Sequence, residues 1–277
     1  MFISPRVRAL ALSCHPLPSL AVTLLAAGLA ALVGLPFGRG VLMTAAVFTG
    51  QLSIGWSNDY LDAERDRAVH RRDKPVAAGA VTPRLTGIAA LVALILTITL
   101  SAALGWPGGA VALVTVLCGW LYNLGLKATA LSWLPYAVAF GILPAIATQS
   151  ASPPRWPALW AVTAGALLGV VAHLANVLPD LSEDAATGIR GLPHRLGPHR
   201  TALAGAGTLL AVSAVILFGP GGHPGPLRWA GFAVAVVIAG FAATGAYRDP
   251  SSRRFFLATI LIAVLDLALF ALAGTGL

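Results

Sequence analysis

The sequence predicts an all-α integral membrane protein with nine transmembrane helices. Of its 277 residues, 57% are hydrophobic and only 10% are charged, and the mean hydropathy is +0.83. Soluble domains carry about 25% charged residues, so this chain lacks the polar surface that a soluble fold of its length would need. Apolar segments of membrane-spanning length also recur from one end of the chain to the other.

The apolar segments are separated by clusters of proline, glycine and charged residues, which interrupt helices. The first segment follows Arg6 and Arg8 as a signal peptide would, but its apolar core is too long for one, so we expect a retained helix. The longest connections are 58–84 and 179–200, and we expect 1–277 to form a single integral-membrane domain. In order, the predicted spans are 17–37, 41–57, 85–105, 109–126, 131–149, 157–178, 201–218, 227–246 and 255–275.

Basic residues are distributed unevenly between the two alternating sets of connections. Fifteen Lys and Arg residues lie in the set that includes the N-terminus, and only Arg39, Arg155 and Arg228 lie in the opposite set. Cytoplasmic loops carry such an excess, so we expect the N-terminus and both long connections in the cytoplasm, and the C-terminus on the other side. Topology explains the net charge of +8, and the short loops lack a nucleic-acid-binding motif, so no nucleic-acid partner is expected.

Eight of the ten acidic residues lie in the two long connections. The first connection begins with NDYLDAERD, 58–66. A helix continuing through this stretch would place four oxygen-bearing side chains within an arc of about 100°, namely Asn58, Asp59, Asp62 and Asp66. Two like charges at contact range repel by about 1 kcal/mol in water and by several times more near a low-dielectric boundary. A bound cation would remove this repulsion, so the face predicts a metal site.

The second connection repeats the spacing of the first. The stretch HLANVLPDLSED carries oxygen-bearing residues at the same intervals, Asn176, Asp180 and Asp184, and Pro179 is expected to disturb the helix beside them. Oxygen ligands without sulfur or paired histidines favour Mg²⁺ over zinc or copper. Mg²⁺ bound by few carboxylates fills its other positions with water and phosphate oxygens. The two motifs therefore predict Mg²⁺ and a phosphate-bearing substrate, with Glu64 and Glu183 pointing away as solvated charges.

These motifs, together with RRDKPVAAG (71–79) and NVLPDLSEDAATGIRGLPHRLG (176–197), resemble the UbiA superfamily of intramembrane prenyltransferases. The resemblance covers essentially the whole chain in helix count, motif order and motif spacing. It implies a nine-helix bundle whose two aspartate-rich motifs bind an isoprenyl diphosphate through Mg²⁺ on the cytoplasmic side. A further segment, LYNLGLK (121–127), resembles the family's segment between a tyrosine and a basic residue after the fourth helix.

The resemblance also implies roles for individual residues of this sequence. The catalytic aspartates would be Asp62, Asp66, Asp180 and Asp184. The metal ligands would be Asn58, Asp59, Asp62, Asp66, Asn176, Asp180 and Asp184. The residues that bind the diphosphate would be Asn58, Asn176, Lys74, Tyr122, Lys127, Arg190, Arg71 and Arg72, and among the basic ones Lys74, Lys127 and Arg190 are favoured.

The expected activity is transfer of the prenyl group to a hydrophobic acceptor, which could be aromatic, a quinone precursor or lipid-like. A terpene cyclase of the same superfamily would ionise the same diphosphate without an acceptor, and because it shares both motifs it stays an alternative. A transporter is less favoured, because transporters bind their substrates near the bilayer midplane and both motifs here lie at one membrane boundary.

Three polar residues inside the predicted spans are candidates for further roles. Gln51, two turns before Asn58, could line an acceptor pocket or form a helix–helix hydrogen bond. His173, one turn before Asn176, is a candidate acceptor ligand, although a buried hydrogen bond is favoured. Asp266 lies in the middle of the last span, where acids are expensive, and its distance from both motifs favours a structural contact.

Overall fold

The computed structural model describes residues 4–272, and all regular secondary structure within that range is helical. Two 3₁₀ turns, Leu126–Ala128 and Leu178–Asp180, accompany the α-helices. Proline stands in the first two positions of many helices, where its missing N–H is not needed. The α-helices are α1 (Pro5–Leu12), α2 (Pro16–Val33), α3 (Phe37–Ala68), α4 (Pro83–Leu104), α5 (Gly108–Leu124), α6 (Leu134–Gly141), α7 (Leu143–Gln149), α8 (Leu159–Val177), α9 (Leu181–Ala186), α10 (Leu192–Leu196), α11 (Pro198–Phe218), α12 (Pro226–Arg248) and α13 (Arg254–Leu272).

Each predicted span coincides with helix in the described range, although 273–275 of the last span lie outside it. Within that range, five helices are long and apolar enough to cross a membrane: α2, α4, α8 with its continuation to Ala186, α11 and α12. The helix Gly108–Leu124 and the helical segment Leu134–Gln149, which comprises α6 and α7, are apolar but shorter. The number of nine crossings therefore stays a prediction.

The helix α3 carries the first acidic motif and continues without a break beyond the predicted span 41–57. Its 32 residues extend about 48 Å at 1.5 Å per residue, whereas the hydrocarbon core of a bilayer is about 30 Å thick. The last turns of α3, which bear 58–66, therefore extend beyond the apolar part of the helix.

A Schellman motif ends α3 and turns the chain back on it. His70 adopts a left-handed conformation with φ 58° and donates its N–H to the carbonyl of Arg67. The following residue, Arg71, donates its N–H to the carbonyl of Asp66 over 3.0 Å. This turn fixes the position of Arg71 relative to the motif.

Proline divides two of the predicted helical segments. The fifth predicted span, 131–149, is not one helix but two, α6 and α7, because Pro144 has no N–H to continue the helix across Ile142. The expected disturbance at Pro179 is also present: α8 ends at Val177, and a 3₁₀ turn leads into α9.

Helices α2, α4 and α5 pack around α3, and α8 packs against α6 and α11. The last long helix, α13, contacts α8, α11 and also α2, so the two ends of the bundle meet. One apolar core lies among α2, α3, α5 and α7, and a second lies among α8, α11, α12 and α13. The first acidic motif belongs to the first half of this arrangement and the second motif to the other half.

Candidate active site

The aspartates of the first motif are buried side by side at the end of α3. Asp59, Asp62 and Asp66 are 2%, 4% and 4% exposed. Asn58 on the same helix donates its side-chain amide to Oδ1 of Asn123 on α5 over 3.0 Å. Three carboxylates this deeply buried require compensating positive charge.

Lysines and one arginine supply that charge. Lys127, from the turn after α5, places Nζ 2.5 Å from Oδ1 of Asp62. Lys74, from the connection after α3, places Nζ 2.9 Å from Oδ2 of Asp66 and 3.6 Å from Oδ1 of Asp59. Arg65 lies 2.8 Å from the second oxygen of Asp62.

The surroundings shift the pKa values of the two lysines in opposite directions. Burial lowers the pKa of Lys127, and the attraction of Asp62 offsets only part of this effect. Burial acts in the same direction on Lys74, but Asp59 and Asp66 outweigh it, so the pKa of Lys74 is raised. Lys74 is therefore held as a cation between two carboxylates.

The second motif is more open than the first. The side chains of Asp180 and Asp184 are 31% and 21% exposed, and Asn176 is also exposed. Nε2 of His194 on α10 lies 3.8 Å from Asp184. Nη2 of Arg71 lies 3.2 Å from Oδ1 of Asp180, and this contact joins the connection after α3 to the second motif.

Aromatic side chains lie beside the motifs, toward the interior of the bundle. The ring of Tyr122 on α5 meets the ring of Tyr136 on α6 edge-on, with centroids 5.1 Å apart, and His173 on α8 lies 5.8 Å from Tyr122. His173 is fully buried, and its Nε2 is 3.0 Å from Oγ of Ser132. The favoured interpretation of His173 as a buried hydrogen-bonding residue agrees with this contact.

Not every predicted site residue lies at the acidic cluster. Arg72 and Arg190 are exposed, and within the described range neither forms an ion pair. The sequence favours Arg190 over Arg71, yet the structure buries Arg71 and leaves Arg190 at the surface. Gln51 is half-buried on α3, two turns before Asn58.

Two acidic residues were predicted to be solvated charges, Glu64 and Glu183. Glu64 is exposed as expected. Glu183 is exposed too, but it is not a free charge, because its carboxylate lies 2.7 Å from Arg71.

Sequence reasoning missed several partners of the motif residues. Asn123, which also donates to Oγ of Ser57 over 2.8 Å, is part of the quoted segment LYNLGLK and could have been found there. His15 precedes α2, and its Nε2 lies 3.0 Å from Asp59. No local pattern links it to Asp59, because the contact depends on how α2 packs against α3.

Gly191 allows the connection after α9 to approach Lys127 closely. A Cβ atom at this position would lie 2.6 Å from the carbonyl oxygen of Lys127 and 2.8 Å from Oγ of Ser132. Oγ of Ser132 also accepts the N–H of Leu192 over 2.9 Å. The two connections are thus packed together beside the acidic cluster.

The donor set fits Mg²⁺ in its chemistry. The candidate ligands of both motifs offer only carboxylate and amide oxygens, which Mg²⁺ prefers. Within residues 4–272, no group of three or more Asp, Glu, His or Cys side chains is arranged to coordinate a metal ion by itself. Mg²⁺ in proteins is usually held by one or two carboxylates plus phosphate oxygens.

An apolar cavity lies deeper in the bundle. Its wall includes Phe140, which stacks on Tyr136 with centroids 6.4 Å apart, and Ala164 and Leu168 of α8. Asp266 also lines this cavity and accepts a 3.1 Å hydrogen bond from Ser213. The favoured structural contact of Asp266 is therefore present, and it ties α13 to α11.

The long apolar helices are those of an integral membrane protein. The two acidic motifs lie near each other at one end of the bundle, where they form a polar site. Residues 19–274 match the UbiA prenyltransferase family, so the chain belongs to this family of intramembrane prenyltransferases. The resemblance found in the sequence is thereby confirmed.

One curated relative is a digeranylgeranylglyceryl phosphate synthase of Methanopyrus kandleri, which is 29% identical over 167 residues. The match covers 56% of this chain and 56% of the relative, so the chain spans little more than half the length of that protein.

Two solved structures share the fold. A UbiA homologue from Aeropyrum pernix has a TM-score of 0.72 and 18% identity, covering 92% of this chain and 96% of its own. A UbiA homologue from Archaeoglobus fulgidus, bound to GPP and Mg²⁺, has a TM-score of 0.71 and 15% identity, covering 96% of this chain and 99% of its own. The predicted UbiA-like helical bundle is confirmed.

Proposed function

We propose that this protein is a Mg²⁺-dependent prenyltransferase that binds an isoprenyl diphosphate between its two acidic motifs and transfers the prenyl group to a hydrophobic acceptor. The observation that carries the proposal is the meeting of the two motifs. Arg71 and Asp180 are 109 residues apart in sequence, yet their side chains lie within 3.2 Å. This contact brings the second motif against the connection that follows the first motif and supports a site shared by both.

In this proposal the two motifs hold Mg²⁺ and the basic side chains hold the diphosphate. Lys74 and Lys127 lie within the acidic cluster and bind diphosphate oxygens. Tyr122, on the helix that precedes Lys127, is a further residue that binds the diphosphate. Arg72 and Arg190 add positive charge at the rim, which attracts an anionic substrate. The metal ligands are Asn58, Asp59, Asp62, Asp66, Asn176, Asp180 and Asp184, of which Asp62, Asp66, Asp180 and Asp184 are the catalytic carboxylates.

The reaction breaks the C–O bond of the isoprenyl diphosphate, and both bonding electrons leave with the diphosphate. Bound Mg²⁺ supplies the positive charge that stabilises this leaving group. The resulting allylic cation forms beside the rings of Tyr122 and Tyr136, and aromatic faces attract cations. A carbon or oxygen of the acceptor then forms the new bond and loses a proton.

The interior cavity fits the tail of the substrate. On α8, Leu168 and Ala164 line the cavity and precede Asn176 by about 12 and 18 Å along the helix axis. Burial of each CH₂ group of an isoprenyl chain would stabilise the bound substrate by about 0.8 kcal/mol. The apolar wall also excludes water, which would otherwise capture the cation.

The names of the relatives support the substrate class. The Archaeoglobus homologue is bound to GPP and Mg²⁺, and the Methanopyrus relative is a synthase of a lipid, digeranylgeranylglyceryl phosphate. A lipid-like acceptor is thus favoured over an aromatic acid or a quinone precursor.

The excess of basic residues around the motifs supports a cytoplasmic site.

The test uses the purified protein with geranyl, farnesyl or geranylgeranyl diphosphate, with and without geranylgeranylglyceryl phosphate as the lipid-like acceptor or an aromatic acid. We expect prenylated product only when an acceptor is present. A cyclic hydrocarbon formed without acceptor would instead establish a terpene cyclase. Turnover of none of the three diphosphates would refute the proposal.

A second measurement addresses the metal. Diphosphate turnover should stop in EDTA and return with added Mg²⁺, because the buried carboxylates would otherwise repel an anionic substrate. Full activity in the chelator would exclude the Mg²⁺ assignment.

A further inference from the structure

The guanidinium group of Arg71 contacts three carboxylates at once. Nε and Nη2 donate to the two oxygens of Asp73, each over 2.9 Å. Nη2 also donates to Asp180 over 3.2 Å, and Nη1 lies 2.7 Å from Oε2 of Glu183. All three nitrogens of the side chain are therefore engaged with acids of this chain.

This arrangement is an internal one rather than a surface ion pair. The side chain of Arg71 is only 6% exposed, whereas Asp73 and Glu183 are 53% and 47% exposed. The hydrogen bonds that Arg71 donates to Asp73, reinforced by the charges of Asp180 and Glu183, outweigh burial and raise the pKa of Arg71. The same contact lowers the pKa of Asp73. Arg71 and Asp73 thus stay charged.

The backbone holds Arg71 in place from the other side. The Schellman motif at the end of α3 binds the N–H of Arg71 to the carbonyl of Asp66, a residue of the first motif. The guanidinium then reaches Asp180 and Glu183, which flank the start of α9. Arg71 therefore connects the rigid end of α3 to the broken helix that carries the second motif.

We infer that Arg71 positions Asp180 against the first motif, and that Asp73 and Glu183 are positioning residues that hold the Arg71 guanidinium on Asp180. Neither acid belongs to the aspartate faces, and the sequence predicted Glu183 to be a solvated charge. An arginine can bridge carboxylates in this way because its planar fork offers several fixed donors. The catalytic part of this inference rests on the proposed function, because it treats Asp180 as a metal ligand.

We call Arg71 and the three carboxylates that it contacts, Asp73, Asp180 and Glu183, the clamp. Hydrogen exchange tests the clamp without relying on activity. Glu183→Gln weakens one contact of Arg71 by removing its negative charge, at a half-exposed position that should tolerate the change. Glu64→Gln removes the same charge from an exposed acid on α3 that forms no ion pair in the described range. We expect amide exchange over 178–187 to become at least about fivefold faster in Glu183→Gln, because local opening is easier there. Exchange in Glu64→Gln should match that of the unmodified protein, and equal exchange in both variants would overturn the clamp.

Catalysis supplies the readout that a merely structural role would not change. The Mg²⁺ concentration giving half-maximal turnover of geranylgeranyl diphosphate should rise at least about fivefold in Glu183→Gln, since a misplaced ligand weakens metal binding. The shift should be larger in Arg71→Lys, because an ammonium group cannot bridge three carboxylates in fixed geometry. Faster exchange without any change in Mg²⁺ dependence would overturn the positioning role.

The two kinds of measurement also separate this inference from the proposed function. If the unmodified protein turned over no diphosphate, the proposed function would fail, while the exchange comparison would still decide whether the clamp exists. If turnover were normal and Glu183→Gln behaved as Glu64→Gln does in both assays, only the clamp would be wrong.

Discussion

The two acidic motifs share one spacing but have different backbones. The first lies on α3, an unbroken helix of 32 residues, and its aspartates are at most 4% exposed. The second is divided among the end of α8, a 3₁₀ turn and α9, and its aspartate side chains are 31% and 21% exposed. Equal spacing in sequence therefore produced a rigid platform in one half of the bundle and an open, jointed segment in the other.

Proline accounts for the difference. Pro179 lies between Asn176 and Asp180 and has no N–H to continue the hydrogen bonds of α8, whereas α3 contains no proline. The first motif is held by packing within its own half of the molecule. The second is held by a contact with the first half, through Arg71. The interrupted second motif can therefore change its conformation to fit a ligand that is held by the continuous helix of the first motif.

The largest expected effects test whether the two motifs are catalytically equivalent despite this difference. Asp62→Asn and Asp180→Asn preserve size and hydrogen bonding while removing one negative charge. Each should lower turnover by at least about 10²-fold, or roughly 2.7 kcal/mol of transition-state stabilisation. The measurement is the turnover rate of geranylgeranyl diphosphate with saturating Mg²⁺.

The control for these variants is Glu64→Gln, which removes the same charge from an exposed acid of α3. It should stay within about twofold of the unmodified protein. Near-normal turnover in Asp180→Asn, with none in Asp62→Asn, would show that the second motif is not part of the diphosphate site.

A smaller loss is expected when the first motif loses one of its cations. Lys127→Met removes the ammonium that lies 2.5 Å from Asp62, leaving Arg65 as the remaining partner of that carboxylate. Turnover should fall at least about tenfold, or about 1.4 kcal/mol. Arg84→Gln, which removes an exposed positive charge in the first turn of α4, is the control. Equal losses in the two variants would mean that Lys127 acts only through the overall positive charge at the end of the bundle that carries the acidic motifs.

Removing the break in the second motif should also have a measurable cost. In Pro179→Ala the N–H needed to extend α8 is restored, so helix should continue toward Asp184 and rotate Asp180 away from Arg71. We expect kcat/KM to fall about fivefold, a loss of about 1 kcal/mol, and amide exchange over 178–184 to slow.

The matched control for this change is Pro198→Ala, which alters a proline in the first position of α11, where no helical hydrogen bond is missing. Its kinetics should be unchanged. Slower exchange in Pro179→Ala with unaltered kcat/KM would mean that the joint is irrelevant to catalysis.

The smallest effect concerns the turn that ends the rigid platform. His70 occupies the left-handed position of the Schellman motif with φ 58°, where a Cβ atom is unfavourable. His70→Gly should raise the free energy of unfolding by about 0.5 to 1 kcal/mol, measured as a higher Tm in detergent. His70→Ala keeps the Cβ atom and should give no increase. A lower Tm in the glycine variant would mean that the imidazole itself stabilises the turn.

The sequence by itself determined the features that depend on neighbouring residues. Apolar length predicted where helices lie, and the spacing of Asn58, Asp62 and Asp66 predicted that they would share one face if the helix continued through 58–66, as α3 does. Pro179 likewise predicted a break at the second motif. These are properties of the local backbone, whose hydrogen bonds join residues only four positions apart.

Only the tertiary structure decided which charges meet. Lys127 and Arg71 reach aspartates that are 65 and 109 residues away, while Arg190, just six residues beyond Asp184, stays at the surface. Glu183 was expected to be solvated but pairs with Arg71. Sequence spacing gives the face of a helix on which a charge lies. The partner of that charge depends on how distant helices pack. A buried carboxylate needs a compensating cation, and it pairs with the one that this packing brings within reach.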